Sequence, residues 1–167
     1  MKFRLFVLLL GAASLMASTS TIGEGKIMTD TARRFLDSLS TMQKAVTIAP
    51  FHNKIRTNWH YFPDGGYQRA YGYARRGIGY KYLDGEQEKL AENLLRAGLS
   101  DRGFDKAKGI MRLEEILRLI EKNTSDNRDQ EAFYYSILGV PSSSGTWGWS
   151  LEGHHLSLNY TIQDGII

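Results

Sequence analysis

Residues 146–162 read Thr-Trp-Gly-Trp-Ser-Leu-Glu-Gly-His-His-Leu-Ser-Leu-Asn-Tyr-Thr-Ile. Leu156, Leu158, Tyr160 and Ile162 alternate with Ser157, Asn159 and Thr161. Side chains on a strand point to opposite faces in turn, so this is the pattern of a half-buried strand. Trp147 to Glu152 reads as extended too. Upstream, Phe133, Tyr135 and Ile137 alternate in the same way, and the Pro/Ser/Gly stretch from Gly139 to Gly145 makes a turn. The C-terminal part of the chain is therefore predicted to be an antiparallel sheet.

The N-terminal half has a different period. Phe35, Leu36, Leu39, Met42 and Val46 recur every three or four residues, which predicts an amphipathic helix over 31–47, stopped before Pro50. Asp84 is the expected cap of a second helix carrying Leu90, Leu94 and Leu95, with Gly98 as its stop. Ser100 caps a third over 101–122, with Phe104, Ala107, Ile110, Met111, Leu113, Leu117 and Ile120 as its apolar stripe. Between these helices, 54–62 reads as a strand with Ile55, Thr57, Trp59 and Tyr61 on one face. Pro63-Asp64-Gly65-Gly66 reads as a turn, and 67–79 as a long loop rich in Gly, Tyr and Arg. Helices followed by strands predict an α+β fold, with N-terminal helices packed on a sheet formed largely by the C-terminal half.

The first residues carry a different signal. Lys2 and Arg4 precede an apolar run, and small residues arrive at Ala17 and Ser18. A positive start, a short apolar core and a small-residue cleavage site define a secretory leader over 1–17. The protein is expected to be periplasmic or secreted, with a flexible linker over 18–28 and a single domain over 29–167. No later segment reads as a membrane span. Losing Lys2 and Arg4 with the leader takes the formal charge from +3 to +1, because no acid precedes Ser18. That small, unclustered balance argues against nucleic-acid binding. Cysteine is absent, which excludes disulfides, thiol catalysis and thiolate metal sites. Near the other end, Asp164-Gly165 is a turn signal followed only by Ile166 and Ile167. A strand that turns without a partner is expected in a piece of a longer protein; the alternative is an edge strand.

Trp147-Gly148-Trp149 followed by Glu152-Gly153-His154-His155-Leu156-Ser157-Leu158-Asn159 resembles the family known as domain of unknown function 3500. Trp59-His60-Tyr61-Phe62-Pro63, Arg76-Gly77, Gln87 with Leu94-Leu95, Leu99-Ser100, Lys106-Ala107, Ile110-Met111 with Leu113-Glu114, and Tyr134-Tyr135 look like that family in the same order. The likeness spans about residues 35–165, and the segment 64–74 departs from it by being longer. It implies a longer family member of which this is the N-terminal portion. The family has no established reaction, so the resemblance carries over no catalytic residue.

Two constellations could carry chemistry. In the first, Glu152 and His154 share one face if the strand continues, with His155 on the other, and Gly153 leaves room for a ligand at the backbone. Carboxylate and imidazole suit a divalent metal such as zinc, with Glu152, His154 and His60 as candidate ligands and His52 as a weaker one. The same residues, Glu152, His154 and His155, could act as metal-assisted or metal-free acid/base groups. They could equally be architecture at the edge of a core. In the second constellation, Arg75, Arg76 and Tyr73 lie among the tyrosines at 67, 71, 80 and 82. Guanidinium beside aromatic rings can grip a carboxylate, a phosphate or a sugar, which would make this a ligand-binding domain of the cell envelope.

Overall fold

The computed structural model describes residues 23–122 and 128–167. The leader expected over 1–17 lies outside them. The chain folds as α+β. The first helix, α1, is described over 23–38, and it buries Met28, Ala32, Phe35 and, just past its end, Leu39. Residues 23–28, expected to be a flexible linker, are thus helical and contribute to the core. The helix predicted over 31–47 is broken at Ser40. There the side chain accepts from the Gln43 N–H while the Gln43 side chain accepts from the Ser40 N–H. This reciprocal cap starts a new helix inside a continuous apolar pattern. That helix, α2 (Thr41–Thr47), leaves Met42 and Val46 exposed.

The next two elements also correct the sequence reading. No strand forms over 54–62. A short 3-10 turn, Lys54–Thr57, leads into irregular chain on which Trp59 and Tyr61 are exposed and His60 is buried. The predicted Pro-Asp-Gly-Gly turn instead opens α3 (Asp64–Tyr71), with Pro63 as N-cap, Asp64 in the first turn and left-handed Gly72 closing it. A Pro entry and an early acid favour a helix start, and a glycine favours its end. The two glycines inside it hid the helix.

The later helices follow their caps. Asp84 and Gln87 form a capping box at the start of α4 (Gly85–Gly98), and Ser100 caps α5 (Asp101–Ile120). On α5 the buried stripe is Phe104, Ala107, Met111 and Glu114, while Leu113 and Ile120, predicted to be core, are exposed.

The sheet has the order β1-β3-β4-β5, from β1 (Ile48–Ala49), β3 (Tyr134–Leu138), β4 (Thr146–Gly153) and β5 (Leu156–Gln163). A short β2 (Ile78–Gly79) also pairs with β3. The sheet is mixed rather than purely antiparallel, because β1 runs parallel to β3. Register follows the alternation read in the sequence: Trp149 pairs with Tyr160 and Leu151 with Leu158. Tyr135, Ile137, Trp147, Trp149, Leu151 and Ile162 face the helices and are fully buried. The Asp164-Gly165 turn forms as expected, both residues being left-handed at φ 51° and 77°.

The opposite face of the sheet is polar, carrying Tyr134, Ser136, Ser150 and Glu152. Ser136 and Ser150 are nevertheless buried. The segment from Phe51 to Gly77 covers this face. The Tyr134 hydroxyl donates to Asp64, the His155 N–H reaches the Tyr61 carbonyl, and Arg56 reaches Thr161. Gly77, at φ 105°, lets the cover close on the sheet, since a Cβ there would lie 2.5 Å from the Tyr135 carbonyl oxygen.

Candidate functional site

The cover segment is held down by Arg75. Its side chain is nearly inaccessible, its Nε donates to Asp64 at 3.1 Å, and its Nη2 donates to the Phe62 carbonyl. The guanidinium lies 4.6 Å from the centre of the Tyr67 ring. A buried cation needs such partners, because taking it out of water is costly. The positive charge of Arg75 also acts on Glu152, whose carboxyl burial pushes up to about 7 against the pull of Arg75 and of a bond from Asn159.

Arg75 lies where the chain leaves the buried layer. Tyr71, Tyr73, Arg75 and Arg76 form one wall of a cleft of about 790 Å³. Ala45 and Val46 of α2 form another, and Asn53, Lys54, Thr57 and Asn58 complete it. No acidic residue lines it among the described residues. Arg75 is already matched by Asp64, whereas Arg76 donates to a neutral group, the Ile48 carbonyl, at 2.7 Å. The cleft therefore has a net positive lining, two tyrosine rings and two amide side chains. Its volume falls in the range of small-molecule sites.

His60 lies behind this wall. It is buried, with its ring stacked 4.3 Å from Tyr67 and a tilted Tyr71 ring 4.6 Å away. Neither ring nitrogen has a hydrogen-bond partner, and burial, reinforced by Arg75, lowers its pKa. His60 therefore sits in the stack as a neutral ring.

The Glu-Gly-His-His run is arranged otherwise. β4 ends at Gly153, and His154-His155 form a two-residue turn in which His155 is left-handed at φ 57°. His154 Nδ1 meets Glu114 of α5 at 2.5 Å, and Glu114 is 3% exposed. Burial lowers the His154 pKa, with the bond to Glu114 opposing. Arg128 stands 3.2 Å from the same nitrogen. A ring N–H donating to Glu114 has no lone pair for it, so Arg128 acts mainly through its two bonds to Glu121. His155 is exposed and lies over Tyr61 at 6.0 Å. The space expected at Gly153 is filled, since a Cβ there would lie 2.2 Å from the Phe133 ring.

Residues 23–167 match the family described as protein of unknown function, DUF3500. The chain belongs to the DUF3500 family. No curated protein and no solved structure matches it.

The DUF3500 chain brings together one predicted constellation and separates the other. Arg75, Arg76 and Tyr73 share the cleft. Glu152 turns towards Arg75 on the covered face of the sheet, while His154 turns towards α5, so the two do not share a face. No three His, Asp or Glu side chains among the described residues are grouped to hold a metal ion, and Glu152, His154 and His60 do not form such a set. Sequence reasoning missed Glu114, although it stands three residues after buried Met111 in the apolar stripe of α5, and that spacing could have marked it. It also missed Lys54 and Asn58, which reach the cleft from a segment misread as a strand. No helix of the described residues is long and apolar enough to cross a membrane.

Proposed function

We propose that this DUF3500 protein is an exported binding domain that takes a small anionic ligand in the cleft between α2 and the Tyr71–Gly77 segment. The observation that carries the reading is the lining itself. Lys54 and Arg76 stand beside Tyr71 and Tyr73, with no acid among the described residues that line the cleft. Arg76 would meet a carboxylate through its planar fork, Lys54 would add a point charge, and the tyrosine rings would pack on the ligand's apolar part. Arg75 is a positioning residue, fixing the wall while its charge is matched by Asp64. The leader over 1–17 supports export to the periplasm or the medium.

Metal-assisted hydrolysis at Glu152, His154 and His155 has less support, because His154 Nδ1 is held by Glu114 and Glu152 faces Arg75. One observation does favour metal-free proton transfer: a Glu152 carboxyl at about 7 exchanges its proton near neutrality.

A thermal-shift panel of phosphate, acetate, benzoate and galacturonate tests the binding reading. Stabilisation by at least one anion, lost in Arg76→Ala, is expected. Equal responses of the wild type and Arg76→Ala to every anion would overturn it.

A further inference from the structure

Two exposed aromatic residues continue the cleft wall beyond the cleft. Trp59 is 65% exposed and Tyr61 52%, whereas Trp147 and Trp149 are completely buried. A single exposed ring is ordinary, but exposed rings that adjoin one another mark a contact surface. These two are also connected. Tyr73 lies 6.2 Å from Tyr71, Tyr71 4.6 Å from His60, His60 6.2 Å from Phe62, Phe62 4.9 Å from Tyr61, and Tyr61 6.5 Å from Trp59. A series of neighbouring rings, passing through His60 and Phe62, thus links Tyr71 and Tyr73 of the cleft to Trp59. Buried His60 and half-buried Phe62 support rings whose outer surfaces meet water.

The neighbourhood of this strip selects its occupant. The cleft, whose residue Asn58 directly precedes Trp59, presents Asn58, Thr57, Lys54 and Arg76 as well as the small apolar wall of Ala45 and Val46. An apolar peptide would cover Lys54, Arg76 and Asn58 while offering them no acceptors in place of water. A sugar ring suits the site better. Its C–H face packs on an aromatic ring, its hydroxyls bond to amide side chains, and a carboxylate on the ring meets guanidinium or ammonium.

We infer that Trp59 and Tyr61 form an outer subsite continuous with the cleft, and that the whole surface takes an acidic oligosaccharide, a short chain of uronate sugars. This rests on the anion reading of the cleft and extends it from one sugar to several. The cleft holds one uronate through Arg76 and Lys54, and the next rings lie along Tyr61 and Trp59.

The test titrates the full chain with hexagalacturonate, galacturonate and uncharged cellohexaose, following heat and tryptophan fluorescence. Hexagalacturonate is expected to bind about tenfold or more tighter than galacturonate, since linked contacts add to affinity. The Trp59→Ala, Tyr61→Ala double variant is expected to lose that gain and keep the wild-type affinity for galacturonate. Its near-ultraviolet signal from buried Trp147 and Trp149 reports an intact core. Galacturonate binding that depends on Arg76, with no gain for the hexamer or no loss in the double variant, would overturn the outer subsite alone. Failure of both galacturonate and hexagalacturonate to bind would overturn the cleft reading with it. Cellohexaose binding as tightly as hexagalacturonate would remove the role of charge. A proline-rich peptide binding more tightly than hexagalacturonate would assign the strip to a peptide partner instead.

Discussion

His154 Nδ1 lies 2.5 Å from the carboxylate of Glu114, which is 3% exposed on α5. The β4–β5 turn is thereby tied to a helix across the core boundary. Removing the imidazole leaves a buried carboxylate with Arg128 at 3.7 Å as its remaining described ion-pair partner. His154→Ala is expected to lower stability by about 1–3 kcal/mol, the cost of leaving a buried acceptor without its hydrogen-bond donor. Urea unfolding of His154→Ala, Glu114→Gln and the double variant measures this, and a coupling near zero would contradict it. Anion binding in the cleft is expected to be unchanged in His154→Ala.

Glu152 gives the protein a pH dependence of definite sign. Its carboxyl titrates at about 7 in the fold, above the ordinary 4.5. Between those values the folded state holds the extra proton, so stability falls as pH rises and the loss is complete above about 7. Glu152→Gln is expected to match the wild type at pH 4 and to be more stable by about 1–3 kcal/mol at pH 8. Melting curves across that range check it. A difference that shrinks as pH rises would contradict it.

Gly153 has no room for a side chain. Gly153→Ala would drive a Cβ into the Phe133 ring, which is itself completely buried. A loss of about 1–3 kcal/mol is expected, as for overpacking elsewhere. If Gly153→Ala melts with the wild type, the close packing of Phe133 under the turn is wrong.

His60 sits in an aromatic stack with neither nitrogen partnered. A phenylalanine keeps the stacking shape and removes the buried polar atoms. His60→Phe is expected to melt at or above the wild-type temperature, since an unmet buried polar group costs about 1–3 kcal/mol. A clear fall would mean that His60 makes a polar contact essential to the fold.

The sequence reveals these features unevenly. Strands β3 to β5 are legible because each has one face in the core, which enforces alternation at Phe133 to Ile137 and Leu156 to Ile162. Helices α4 and α5 are legible because Asp84 and Ser100 act locally. The cover segment is not. Trp59 and Tyr61 have strand-like spacing, but their rings face water, so burial does not impose that spacing. Two glycines conceal α3, and the apolar period that spans Ser40 conceals the break between α1 and α2. The pairing of Glu152 with His154 assumes that strand parity continues past Gly153, where the chain turns. The Arg75, Arg76 and Tyr73 group survives because three residues so close in sequence remain neighbours whatever the loop does. The spacing of Glu114 from Met111 places it on the buried stripe of α5, but its partner, a histidine 40 residues away, is set by the tertiary fold.

Isothermal titration of galacturonate tests the cleft most directly, with the full chain and its Arg76→Ala variant compared at low and high salt. Saturable binding is expected, weakened about tenfold or more in Arg76→Ala and weakened in the wild type by salt, as for a charge-assisted contact near the surface. Binding of equal strength in both proteins, indifferent to salt, would contradict an anion site built on Arg76, as would the absence of binding.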